Sequence, residues 1–286
     1  MPEIAFLNGE FLPTYEAKVP VDDRGYQFGD GVYEVVESYN GRLWALDRHL
    51  RRLERSLSEV GITGITVDEV RERILETYER SGIPRALVYV QVTRGVLPRR
   101  HAWTSASLKP TLLVTVREFQ GVPDQLRRSG VKVITLPEVR WGRRDVKSIN
   151  LLPNVLATQK AWEAGAYEAI FVEGGYITEG SHTNIFTVRD GRLFTPQEGP
   201  HILSGITRGL VIEMAKEEGI PVEEGPLPYE ALLEADEAFL TATGEEVLGV
   251  VSVDGRRIGS GRVGPMTRRL YEMFMYRVER GMDSPQ

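Results

Sequence analysis

The sequence predicts an α+β protein of two domains. Short strands come in hairpins closed by glycine turns at Asn8-Gly9, Asn40-Gly41, Gly174-Gly175 and Asp190-Gly191. Amphipathic helices stand between these hairpin groups. No GxGxxG or GxxxxGK(S/T) follows a strand, so a doubly wound or phosphate-loop nucleotide fold is not expected. A stretch marked by Gly121 and Pro123 (119–130, FQGVPDQLRRSG) separates two such sets. It divides the chain into a small N-terminal α+β domain, 1–120, and a larger C-terminal α+β domain, 121–286.

Residues 3–8 and 10–13 form the first hairpin, and the Gly- and Asp-rich stretch 15–30 reads as a loop. The segment 32–46 gives a second hairpin. Leu50, Leu53 and Leu57 at helical spacing predict a helix over 46–62, stopped by Gly61. A second helix covers 66–83, capped by Thr66 or Asp68. β-Branched and aromatic residues make 86–95 and 111–119 strands around a loop at 96–103. Beyond the connector come a strand (131–141), a helix capped by Asn154 (154–165), a meander (167–195) and a helix opening at Gly205 (205–220). A short helix (229–235), two strands (237–244 and 247–258) and a closing helix (264–281) complete the chain.

Composition narrows the function. The chain has 286 residues, 41% hydrophobic and 27% charged, with a net charge of −6. These values suit a globular protein and give no electrostatic case for nucleic acid or anionic membrane. Cysteine is absent and the four histidines are scattered, so thiol chemistry and a metal site are not expected. The start MPEIAFLNGEFL lacks the basic and apolar regions of a signal peptide, and no run reaches the roughly 18–20 apolar residues of a membrane span. A cytoplasmic location is expected.

The chemistry centres on VRWGRRDVKSINLLPN (139–154). Only six lysines stand against 29 arginines. A lysine kept in this loop suggests an amine that must lose its proton, which a guanidinium cannot do. Glu179 lies in an apolar meander, where a carboxylate needs a cationic partner. Gly205-Ile206-Thr207 opens a helix as an anion cup would, and Thr241–Gly244 ends a strand in similar manner. Arg99, Arg100 and His101 form a cationic loop suited to carboxylates. Each has a plain alternative: a surface lysine, a solvated edge glutamate, an ordinary helix start and a solvated loop. Arg140, which precedes Trp141, tells little alone, and Arg143 and Arg144 read as solvent-facing. His49 reads as structural.

Six stretches, taken together and in order, carry a resemblance. DRGYQFGDGVYE (23–34), HLRRL (49–53), VTRGVLPRRH (92–101), RWGRRDVKSINLLPNVLA (140–157), TEGSHTNIF (178–186) and GITR (205–208) are similar to the fold-type IV pyridoxal-phosphate aminotransferases, nearest to the D-amino-acid branch. The resemblance implies a two-domain fold with the cofactor, pyridoxal 5′-phosphate, in the cleft. It implies Lys147 as the Schiff-base lysine and Glu179 as the partner of the pyridine nitrogen. Arg52, Ile206, Thr207 and Thr243 match phosphate-binding positions. Arg140 and Ser181 match residues near the cofactor, and Leu203 a residue on the ring face. Tyr33, Arg99 and His101 match the trap for the substrate carboxylate, with the arginine and histidine coming from the partner subunit of a homodimer. Ala242 replaces a serine common at this point in the family. The implied reaction is transamination between a D-amino acid of the alanine or glutamate type and a 2-oxo acid. Branched-chain or broad-specificity transamination, (R)-amine transamination and aminodeoxychorismate lysis are the alternatives on the same scaffold.

Overall fold

The computed structural model describes residues 3–104 and 108–283. Its backbone divides into two compact bodies. One runs to Gln120 and takes in Val146–Asn150 and the chain from Gly281 on. The other comprises Gly121–Asp145 and Leu151–Arg280. A single cut at residue 121 leaves Val146–Asn150 in the second body, yet the first claims it. Val146 is buried in the first core, and the N–H of Ile149 donates to the carbonyl of Gly31 at 3.1 Å.

The first body holds β1 (Ile4–Leu7), β2 (Glu10–Pro13), α1 (Arg24–Phe28), β3 (Gly31–Tyr39), β4 (Arg42–Leu43), α2 (Leu46–Glu59), α3 (Val67–Ser81), β5 (Ala86–Thr93) and β6 (Thr111–Glu118). The strands form an antiparallel sheet in the order β2-β1-β6-β5-β3-β4. Ala86, Val88, Val90 and Val92 alternate onto one face of β5, as period-2 patterning requires. They share a core with Leu46, Leu50, Leu53 and Leu57 of α2 and with Val70 and Ile74 of α3. Thr66 caps α3 in a reciprocal box with Glu69.

Helix α1 departs from the expected loop. Asp23 accepts from the N–H of Gly25 and from the hydroxyls of Thr93 and Thr111, so one buried carboxylate both caps a five-residue helix and ties it to two strands. A Cβ on Gly25 would lie 2.3 Å from Thr93 Cγ2, which is why glycine stands there.

The second body holds α4 (Asp124–Ser129), β7 (Val131–Pro137), α5 (Leu152–Glu163), β8 (Glu168–Glu173), β9 (Tyr176–Gly180), β10 (Asn184–Arg189), β11 (Arg192–Thr195), α6 (Ile206–Glu217), β12 (Val222–Glu224), β13 (Leu227–Pro228), α7 (Tyr229–Leu233), β14 (Glu237–Ala242), β15 (Glu246–Val253), β16 (Arg256–Arg257) and α8 (Pro265–Arg280). Its sheet runs β12-β11-β10-β14-β15-β7-β8-β9-β13, with β16 on β15. Pairing is parallel at β11–β12, β15–β7 and β7–β8, and antiparallel elsewhere. Strands β8, β10 and β14 are buried along most of their length, and Phe186 stacks on its cross-strand partner Phe239 at 4.9 Å. Helix α5 begins two residues before the expected cap. Pro153 fits its first turn, and the Asn154 side chain donates instead to the carbonyl of Ser181.

Candidate active site

In the first body, Lys147 lies beside the start of β3. The N–H of Tyr33 donates to its carbonyl at 3.0 Å, and its ammonium sits 4.4 Å from the centre of the Tyr33 ring. Its own N–H donates to Ser56 Oγ of α2. Strand alternation sends Tyr33 to one face and Glu34 to the other, where α2 packs. There Glu34 accepts Nε and Nη2 of Arg52 at 2.6 and 2.8 Å, and Nδ1–H of His49 at 2.8 Å. Burial alone would raise the Glu34 carboxyl, but Arg52 and His49 outweigh it and hold it well below the usual carboxylate range. Burial is also the largest influence on the His49 imidazole and lowers it from its ordinary value against the pull of Glu34. Arg52 is thus oriented by a carboxylate that sequence reasoning passed over. The signal was available: Glu34 sits between Val32 and Val36 on a core-facing alternation.

The loop carrying Arg99, Arg100 and His101 is exposed but braced. Arg24 donates to the carbonyls of Arg100 and His101. Phe28 meets Arg99 at 4.6 Å and His101 at 5.4 Å. Trp103 lies against the guanidiniums of Arg24 and Arg94, at 5.3 and 3.8 Å. Both arginines are held by Asp30.

In the second body, Glu179 is 4% exposed at the end of β9. It accepts Nη1 of Arg140 at 2.7 Å, the N–H of Leu203 at 2.9 Å and Nδ2 of Asn184 at 3.1 Å. Burial is the largest influence on its carboxyl and raises it above the ordinary value despite these donors. Arg140 spends Nε and Nη2 on Glu138 and packs 4.3 Å from the Phe171 ring. Glu138, although desolvated, is held at about 2 by Arg140 and Arg144.

Arg144 is not solvent-facing as expected. It is 7% exposed and pairs with Glu138 at 2.7 Å and Glu173 at 3.0 Å. A charge this buried needs such partners. Arg143, half-exposed, pairs with Asp145. Asn184 was overlooked within TEGSHTN. It joins Glu179 to the carbonyl of Leu203, and a Cβ on Gly205 would fall 1.9 Å from its Oδ1. Glu179, Leu203 and the start of α6 are therefore brought together.

Ile206 and Thr207 form the first turn of α6, whose N-cap residue, Gly205, supplies no side-chain cap. Its amides keep the donors an anion requires. Thr243 lies half-buried just past β14, and Thr241 Oγ1, opposite Asn184 in register, is buried with no partner among the described residues. Ser181 is engaged elsewhere: its hydroxyl contacts Glu168, Thr158 and His182. A buried carboxylate with a raised proton affinity, an uncapped helix start and an orphaned hydroxyl fit a cofactor with a cationic ring nitrogen and a phosphate. Among the described residues, no group of three or more His, Asp or Glu side chains is arranged to hold a metal ion, and no helix is long and apolar enough to cross a membrane.

Residues 31–253 match the family model for amino-transferase class IV, and the chain belongs to that family. Among its relatives, D-alanine aminotransferase of Staphylococcus haemolyticus is 39% identical over 96% of this chain and 97% of its own. That of Bacillus licheniformis is 41% identical over 92% and 93%. Among solved structures, the branched-chain amino acid aminotransferase of Escherichia coli matches with a TM-score of 0.89 at 28% identity, covering 96% and 94% of the two chains. That of Thermobaculum terrenum, solved in its PLP-bound holo-form, matches at 0.83 and 25%, covering 97% and 94%.

Proposed function

We propose that this protein is a D-amino-acid transaminase that moves an amino group between a D-amino acid of the alanine or glutamate type and a 2-oxo acid, with pyridoxal 5′-phosphate as cofactor. The buried Glu179, with its proton affinity raised and its carboxylate fixed by three donors, carries this reading. When bound, the cofactor supplies an aldehyde for amines and a ring that withdraws electrons from the substrate α-carbon. Lys147 provides the amine that attaches it and moves the proton at the substrate α-carbon through Nζ. Glu179 keeps the ring nitrogen protonated. The first turn of α6, Thr207, Thr243 and Arg52 bind the phosphate, Leu203 rests on the ring face, and Arg140 and Ser181 stand close by.

Tyr33, Arg99 and His101 bind the substrate carboxylate, the last two reaching the site of a second copy of the chain. Exposure of the braced loop supports this assignment. So does α5, whose Leu152, Val155, Leu156 and Trp162 leave apolar surface uncovered. The enzyme works in the cytoplasm as a homodimer. Relatives at 39–41% identity favour a D-alanine-type substrate over the branched-chain amino acids named for the structures at 25–28%. The test pairs D- or L-alanine, D- or L-glutamate and L-leucine with 2-oxo acids. Turnover of the D-enantiomers supports the reading, and turnover of L-leucine alone overturns it.

A further inference from the structure

We propose that Glu138 is a positioning residue that keeps Glu179 a strong partner for a cationic ring nitrogen, by holding Arg140 away from full pairing with it. This rests on the assignment of Glu179 above. A guanidinium facing one carboxylate alone binds it bidentately and cancels its charge. Here the bidentate pair is made with Glu138, through Nε at 2.9 Å and Nη2 at 2.6 Å. The Arg140 backbone N–H also donates to Glu138. Only Nη1 remains for Glu179.

The groups around this pair extend the argument. Arg144 joins Glu138 at 2.7 Å and shares its charge with Glu173 and the ring of His201. Thr178 donates to Glu138, while Asn184 and the Leu203 N–H complete Glu179. Three carboxylates therefore meet two guanidiniums, and one negative charge is left over. Glu173 is half-exposed and screened by water. Glu138 and Glu179 are buried, so their mutual repulsion is felt and adds to the burial that favours protonation at Glu179. An incoming cation relieves that repulsion. Glu138 need not touch the cofactor to act.

The test compares binding of pyridoxal 5′-phosphate with binding of its 1-deaza analogue, which carries C–H in place of the ring nitrogen, to the apoenzyme by titration. The wild type binds the parent more tightly. Glu138→Gln should shrink that preference about tenfold, equivalent to one pKa unit at the ring nitrogen, while leaving the analogue's affinity unchanged. Glu138→Asp should restore it. Arg144→Gln, which removes a positive charge from the same cluster, should enlarge it, and reads the proposal even if Glu138→Gln does not fold. A glutamine variant that keeps the wild-type preference, or that loses affinity for both ligands equally, overturns the proposal. So does an Arg144→Gln variant with unchanged preference. A wild type that binds both ligands equally overturns the assignment of Glu179 itself.

Discussion

The Lys147 ammonium lies 4.4 Å from the centre of the Tyr33 ring, and the two residues are also joined through the backbone by the Tyr33 N–H and the Lys147 carbonyl. The ring face thus guides the amine while the strand fixes its Cα. Replacing Lys147 by arginine preserves the charge and the ring contact but leaves a guanidinium that never deprotonates. Lys147→Arg should fold with wild-type stability and transaminate nothing, as read by 2-oxo acid release. Tyr33→Leu removes the π-face, and Tyr33→Phe retains it. The phenylalanine variant should keep the lysine's contact while weakening substrate carboxylate binding, so KM rises and kcat falls less than in the leucine variant. Equal kcat losses in the two would refute the guiding role.

Glu34 compensates the buried charge of Arg52. Glu34→Gln leaves that charge unmatched and should cost about 3–5 kcal/mol at neutral pH. The carboxyl is depressed in the folded state, so the unfolded chain binds more protons as pH falls below its ordinary value of 4.5. Stability from Glu34 is therefore complete above that pH and lost below it. Urea midpoints of wild type and variant should converge on acidification. A gap that is constant with pH would place the stabilisation elsewhere.

Gly205 and Gly209 offer a matched pair on α6. At position 205 a Cβ meets Asn184 Oδ1, and at 209 it meets nothing within 4 Å. Gly205→Ala should cost about 1–3 kcal/mol from overpacking and weaken cofactor binding by moving Asn184 off Glu179. Gly209→Ala should stabilise by about 0.5–1 kcal/mol through helix propensity. Thermal melts of both apoproteins, with cofactor titration, decide the matter. A harmless alanine at 205 would contradict the packing described.

Trp103 braces the cationic loop through two guanidiniums. Each contact is worth about 0.5–1 kcal/mol at an exposed site, so Trp103→Ala should cost about 1–2 kcal/mol of stability. It should raise KM for both substrates roughly three- to tenfold while leaving kcat near wild type. A fall in kcat with unchanged KM would remove the loop from carboxylate binding.

Leu156 lies at the centre of the apolar stripe on α5 and is 54% exposed. On the homodimer proposed above, Leu156→Glu should give a monomer in sedimentation velocity and abolish turnover, because the proposed reach of Arg99 and His101 into a second copy is then lost. A dimeric, active variant would locate the interface elsewhere.

The sequence reads most clearly where one residue fixes one local geometry. Asn8, Asn40 and Asp190 adopt positive φ at their turns, and Thr66 caps its helix. It reads less well where a side chain answers to a distant strand. Asp23 holds α1 through Thr93 and Thr111, 70 and 88 residues away in sequence. No local pattern reveals such a cap. Arg144 lies in a stretch as basic as any solvent loop. Its burial follows from Glu138 and Glu173, which only the fold brings to it. Asn154 has the right identity for a cap, but the helix already begins at Leu152, with Pro153 in its first turn, and the amide serves Ser181. The motifs around Lys147 and Glu179 were legible as residue types. Of the carboxylates that orient their neighbours, Glu34 left a trace in the alternation of β3, whereas Glu138 left none, because its pairing with Arg144 and Thr178 runs across elements.

The assignment of Val146–Asn150 to the first body has a bearing on how such enzymes can be recombined. A gene fragment ending at Gln120 omits Val146, a residue of its own core, and the partner that Ser148 offers to Val32. A chimera joined between 120 and 146 would set one parent's β3 against another parent's lysine-bearing segment. Crossovers that leave this pairing intact must therefore come in twos, one on either side of Val146–Asn150, with the segment inherited together with Gly31–Tyr39. The module that travels with Lys147 is defined by strand pairing and not by position along the chain.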